Sequence, residues 1–103
     1  MTAYVLTDDA EADLRSVIRY SRRQWGDAQA RRYVTTMQQE VDRLVAGHSA
    51  AKDMGDLYPS LRMGRCGHHY VFFLPAGNSP TLVVAIFHER MDLMTRVAAR
   101  LGV

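Results

Sequence analysis

The stretch that decides the fold is His68–Asp92, HHYVFFLPAGNSPTLVVAIFHERMD. It holds two β-prone apolar runs, HHYVFFL and TLVVAIF, rich in Val, Phe and Ile. The segment between them, PAGNS, is short and built of turn-forming residues, so the two runs predict antiparallel neighbours. Several positions are apolar on both faces of a period-two strand, so the sheet needs a cover on each side. The second run ends abruptly in His88, Glu89, Arg90, Met91 and Asp92. That ending has three readings: a catalytic site at a strand end, a polar cap on the core, or a docking edge for another protein.

Upstream, SLRMGRC (Ser60–Cys66) sets Leu61, Met63 and Arg65 against Arg62 and Gly64, and only Gly67 separates it from His68. The three runs predict a three-stranded antiparallel meander. Residues 47–59, GHSAAKDMGDLYP, lack periodicity and read as a loop. Before them lie two helices. Asp8 followed by Glu11 predicts a capping box, and Ala10, Leu14, Val17, Ile18 and Trp25 follow at helical spacing. Acidic residues gather at the start of this helix, and Arg15, Arg19, Arg22 and Arg23 follow toward its end, an order that suits the helix dipole. Gly26 predicts a left-handed cap, and Asp27 a cap for a second helix over about Ala28–Ala46. That helix carries a stripe of Ala30, Tyr33, Val34, Met37, Val41, Leu44 and Val45, and Gly47 stops it. A Gly-Asp turn alone joins the two, which predicts an antiparallel two-helix hairpin with Trp25 as its plug.

TAYVLT (Thr2–Thr7) reads as a short N-terminal strand. MDLMTRVAARLGV, with Leu93, Val97 and Leu101 four apart, reads as a short C-terminal helix. The fold class is therefore α+β, in one domain over residues 1–103: short strand, helix hairpin, meander, terminal helix. The hairpin can cover one face of the sheet. The terminal helix, short and narrow in its stripe, is expected to leave apolar surface on the other face for a partner.

Composition narrows the function classes. A hydrophobic content of 48% over 103 residues supports one core. The single cysteine, Cys66, excludes an internal disulfide and fits a reducing, cytoplasmic setting. The N-terminus does not read as a signal peptide, and no apolar stretch is long enough to span a bilayer. Net charge is +2, and the excess lies in the second half: residues 1–50 hold seven basic and seven acidic groups, residues 51–103 six and four. Arg62, Arg65, His68 and His69 fall between Leu61 and Leu74 with no acid among them, which predicts a small basic patch.

Chemistry-bearing motifs are sparse. His88 has the pKa range of a general base, yet Glu89 and Asp92 follow no catalytic spacing. The simpler reading is that His88 ties the last strand to the start of the terminal helix by a hydrogen bond. Arg62 and Arg65, three apart on a strand, face opposite ways unless Gly64 carries a bulge. His68 and His69 also diverge, so no metal site is expected. Cys66 lacks a triad partner, and GRCGHH is neither a P-loop nor a dinucleotide fingerprint, so no cofactor is implied.

Taken in order, YVLTDDAEADLRSVIRYSRRQWGDAQARRYV, LR, HHYVFFL and IFHERMD resemble the ParE branch of the RelE/ParE toxin superfamily. Shared features are the Ala-x-x-Asp-Leu helix start, the aromatic-Gly turn, the meander, and an ending matched by Ile86, Phe87, His88, Met91 and Asp92. The resemblance implies the toxin of a bacterial type II toxin–antitoxin module. It also implies a ParD-like antitoxin that folds onto the toxin and alone contacts DNA, and DNA gyrase as target. On this reading the antitoxin's acidic segment meets Arg15, Arg19, Arg22, Arg62 and Arg65, and the target meets His88 and Arg90. RelE-type relatives are ribosome-dependent mRNA endonucleases. Here only Arg62, His68 and His88 stand in for such a site, which favours a binding-type inhibitor over an enzyme. A third reading is an inactive homologue serving only as an antitoxin-binding co-repressor.

Overall fold

A computed structural model describes residues 3–103; Thr2, part of the expected first strand, lies outside them. In chain order the elements are β1 (Tyr4–Leu6), α1 (Asp8–Trp25), α2 (Asp27–Val45), β2 (Lys52–Asp53), β3 (Arg62–Cys66), β4 (His69–Ala76), β5 (Ser79–His88) and α3 (Leu93–Leu101). The meander forms the centre of a five-stranded sheet of order β1-β5-β4-β3-β2. β1 joins it in parallel beside β5, and β2, inside the stretch read as a loop, pairs antiparallel with β3.

The helix boundaries correct the expected caps. Thr7, not Asp8, caps α1: its Oγ1 accepts from the Ala10 amide at 3.0 Å. Asp8 is the first helical residue, one step too late to cap. Gly26 does carry a positive φ of 83°, but with ψ of 170° it is extended rather than left-handed helical. It serves as the last residue of one helix boundary and the first of the next. Asp27 makes no capping bond; it accepts from Arg22 at 2.9 Å across the turn. Asp92 caps α3 through the Thr95 amide, and Gly102 closes that helix in the left-handed conformation.

Both faces of the sheet are buried. The hairpin covers one through Ala10, Val17, Met37, Val41 and Leu44, packed on Cys66, Val71, Phe73, Val83 and Ile86. Gly64 is fixed by this packing, since a side-chain carbon there would overlap the methyl groups of Leu44. It carries no bulge, for β3 and β4 pair in unbroken register. The second face holds Phe72, Val84, Ala85 and Phe87. The expectation that some apolar surface would remain here is narrowed: α3, through Val97, and the segment before β3, through Met54 and Leu61, close over this face together, and Met91 and Met94 beside it stay exposed.

The register irregularities lie elsewhere, both in the β4–β5 pair, one near the hairpin end between Leu74 and Ala76 and one in the core. Phe72 pairs with Ala85 and Phe73 with Val83, so Val84 is an extra residue in β5. Val84 and Ala85 consequently share the α3 face, and alternation resumes in the opposite phase. Ile86 returns to the hairpin side.

Candidate functional site

β1 ends opposite Val83, where the Thr7 amide donates to the Val83 carbonyl at 3.0 Å. Past this point β5 has no strand on that flank, and its backbone groups need other partners. Asp13 of α1 accepts from the Ile86 amide at 2.9 Å, and Arg100 of α3 donates to the Val84 carbonyl at 3.1 Å. The two side chains also join each other through a two-pronged ion pair of 2.5 and 3.1 Å. This bond with Asp13 holds the Arg100 guanidinium above its usual range. Asp13 and Arg100 thus take the place of a missing strand and fix α1 to α3 across the end of β5.

Above this bracket opens a cleft of about 600 Å³. Four elements line it, β4 through His69 alone. Ser16, Tyr20 and Arg23 come from α1 at i, i+4 and i+7, one stripe of a helix. β5 and the turn after it supply Ile86, His88, Arg90 and Met91, and α3 supplies Arg96 and Arg100 at i and i+4. Among the described residues, no carboxylate oxygen lies within 4.0 Å of Arg23, Arg90 or Arg96. Val17, Ile86 and Phe87 contribute an apolar floor.

Two histidines stand at the edge of the cleft. His69 is 5% exposed and pairs in register with His88, their rings perpendicular at 5.1 Å. Burial, then the neighbouring His88 and His68, push the His69 imidazole down to about 4, so it is neutral near pH 7. The Tyr33 hydroxyl accepts from the His68 amide at 2.9 Å and meets His69 Nδ1 at 2.7 Å. The hydroxyl also donates to the Cys66 carbonyl at 3.5 Å, so it bridges Cys66, His68 and His69. His88 Nδ1 accepts from the Arg90 amide at 3.1 Å, which assigns the ring proton of neutral His88 to Nε2. This bond holds the turn after β5 rather than the start of α3, correcting the expected tie. Trp25 is not a buried plug: it is 38% exposed and leans on Tyr33 at 5.4 Å. Trp25, Tyr33, His69, His88 and Tyr20 form one row of rings from the hairpin turn to the cleft.

The residues proposed for RNA cleavage do not converge. Arg62 donates to the Ala51 carbonyl at 3.0 Å, at the far end of β3 from the histidines, about 13 Å away by strand rise. His68 turns out of the sheet to Glu89, 3.0 Å from Nδ1. The Glu89 carboxyl is held below its usual range by that hydrogen bond and then by Arg65 at 2.7 Å. Glu89 also dissolves the predicted basic patch, because it balances Arg65 and His68 while His69 is buried. Burial pushes the Cys66 thiol up to about 12, which leaves it a packing residue.

The five arginines assigned to an antitoxin fall into separate places. Arg15, Arg19 and Arg22 are exposed along α1. Arg22 borders a groove of about 380 Å³ between the hairpin helices, with Ile18, Ala30, Arg31 and Val34. Arg62 and Arg65 lie across the sheet and already have partners. His88 and Arg90, assigned to a target, do come together, both lining the cleft. Arg23, Tyr20 and Arg96 join them there and were not singled out in the sequence. Their signal was the spacing of Ser16, Tyr20 and Arg23 down one polar flank of α1.

Comparisons with known proteins agree with this architecture. The family described as ParE toxin of type II toxin–antitoxin system, parDE, matches residues 4–93. The chain is 63% identical over 101 residues to Toxin ParE of Escherichia coli, covering 98% of each chain. It is 29% identical over 90 residues to Toxin ParE1 of Mycobacterium tuberculosis, covering 87% of this chain and 92% of the relative. The fold also matches a chain of the chromosomal ParDE system from P. aeruginosa, with a TM-score of 0.69 at 20% identity, over 85% of this chain and 96% of that one.

Proposed function

From the premise that this chain belongs to the ParE family of type II toxin–antitoxin toxins, we propose that it inhibits DNA gyrase by binding, in the cytoplasm, until a ParD-like antitoxin neutralises it. One observation carries the choice of binding over cleavage. The cleft that gathers His88 and Arg90 presents N–H donors and cations, and its one carboxylate, Asp13, is held by Arg100 and the Ile86 amide. Cleavage of RNA at a 2′-hydroxyl needs a group to accept that proton. His88 Nδ1 is occupied by the Arg90 amide, and His69 is buried with Nδ1 on the Tyr33 hydroxyl, so neither histidine offers a free, accessible basic nitrogen. The arrangement can hold an anionic or polar partner, and it lacks the pair that would cut one.

The antitoxin segment is assigned to the hairpin groove, where Arg22 and Arg31 border Ile18 and Val34, with Arg15 and Arg19 exposed further along α1. An amphipathic helix with acidic flanks fits such a surface. Arg62 and Arg65 take no direct part in this assignment because both lie on β3, outside the groove.

The test is supercoiling by purified gyrase with the toxin free of antitoxin. Inhibition should appear, His88→Ala with Arg90→Ala should remove it, and antitoxin binding should survive. Unaffected supercoiling together with cleavage of a reporter message on ribosomes would overturn the proposal. Normal growth of cells expressing the toxin alone would point instead to the inactive co-repressor.

A further inference from the structure

We propose that the cleft between α1 and α3 binds the phosphodiester backbone of a nucleic acid strand, with Arg23, Arg90 and Arg96 on its phosphates and Tyr20 beside a base. This departs from the expectation that the antitoxin alone contacts DNA. It rests on the reading of the cleft as the target-facing site, where a gyrase-bound strand is the natural source.

Four observations lead here. First, the three arginines come from three elements, α1, the turn after β5, and α3, and line one concavity. Scattered surface arginines of a solvated face would not share a wall. Second, among the described residues none of the three has a carboxylate partner, while Arg100 at the same site is held by Asp13. The surplus positive charge is local, for the chain as a whole carries only +2. Third, His88 adds an Nε2–H donor, and the one carboxylate, Asp13, is taken up by Arg100 and the Ile86 amide, so the site is short of acceptors and long in donors. Phosphate oxygens are acceptors only, and an arginine fork matches them in pairs.

The fourth observation separates a nucleic acid from an acidic peptide. Tyr20 is 46% exposed, and its ring is braced at 64° and 6.4 Å by His88. A half-exposed, braced ring beside unpaired cations is the combination on which single strands stack their bases while the backbone follows the charge. An acidic peptide would use the arginines and leave the ring without a flat partner.

The experiment is fluorescence anisotropy with labelled single-stranded DNA, duplex DNA and single-stranded RNA of the same sequence. The toxin is the full chain without antitoxin, and gyrase is absent. Saturable binding is expected, with a slope of log K against log salt of about −2 for three phosphates on a single strand. Arg23→Glu with Arg96→Glu should weaken binding at least about tenfold at low salt and flatten the slope to about −0.7. The charge-matched control, Arg32→Glu with Arg43→Glu on α2, should change affinity less than about threefold. Tyr20→Leu should weaken single strands more than duplex. Arg23 and Arg96 are exposed, so unchanged thermal melting will show that the variants fold.

No saturable binding, or an equal loss in the α2 control, would overturn the proposal. So would displacement of the strand by a glutamate-rich peptide at equal charge, which would reassign the cleft to acidic protein. Gyrase inhibition without oligonucleotide binding would sink this inference alone; oligonucleotide binding without gyrase inhibition would sink the functional reading alone.

Discussion

Replacing Asp13 by alanine removes more than an ion pair. The carboxylate is 15% exposed and accepts from the Ile86 amide as well as from both terminal nitrogens of Arg100, itself 21% exposed. An amide left without its acceptor in so closed a place costs about 1–3 kcal/mol. Breaking one side of a fully buried pair costs about 3–5 kcal/mol, and the remaining exposure of these two side chains lowers that share. Together the loss should be about 3 kcal/mol, from a total near 10 kcal/mol for a domain of this size. Melting should fall by at least about 12 °C. Urea denaturation of Asp13→Ala, Arg100→Ala and the double variant forms a cycle whose coupling term should be about 1–2 kcal/mol. A loss under about 1 kcal/mol for Asp13→Ala, or a coupling near zero, would refute the view that this pair replaces a strand at the end of β5.

Two further outcomes follow from packing and burial. Gly64→Ala should cost about 1–3 kcal/mol because the added carbon meets Leu44, and Leu44→Ala should be less damaging in that background than alone. His69 is driven from 6.5 in the unfolded chain to about 4 in the fold. Between those values the unfolded chain holds a proton that the folded chain does not, so the stabilisation is complete above 6.5 and is lost as pH falls toward 4. The loss attributable to His69 should reach about 2–3 kcal/mol. Urea midpoints measured above and within this window should converge in His69→Gln, which keeps a hydrogen-bonding partner for Tyr33; an undiminished pH dependence would exclude His69 as its source.

Strong periodicity made the two long helices, the meander and the terminal helix legible in the sequence. The caps were less so, because Thr7, Asp8 and Asp9 are all capping residues in a row and only backbone geometry chooses among them. β2 is two residues long and leaves no pattern. The position of β1 is a tertiary matter, since a three-residue strand can join either edge. The bulge was hidden because TLVVAIF is apolar on both faces and offers no alternation to break. At the site, the strand-end residues His88 and Arg90 were visible as a change from apolar to charged. Asp13 is one of the acidic residues gathered at the start of the first helix, and only its place beside Ala10, Leu14 and Val17 on the buried flank marks it as a tertiary partner. The basic patch failed for the opposite reason: Glu89 is 24 residues from Arg65 in sequence and 2.7 Å away in space.

The extra residue at Val84 gives β5 one residue of slack that its composition does not show. Before it, side chains face the hairpin or α3 in one phase of the residue count; after it, in the other. Loss of a single codon among Val83, Val84 and Ala85 would let the two residues that remain pair with Phe73 and Phe72, so the strand would alternate without a break and Phe87 and His88 would keep their present sides. What such a deletion would take away is one apolar side chain from the α3 face and the bulged carbonyl that Arg100 holds. An in-frame deletion here is therefore a repacking problem of ordinary size.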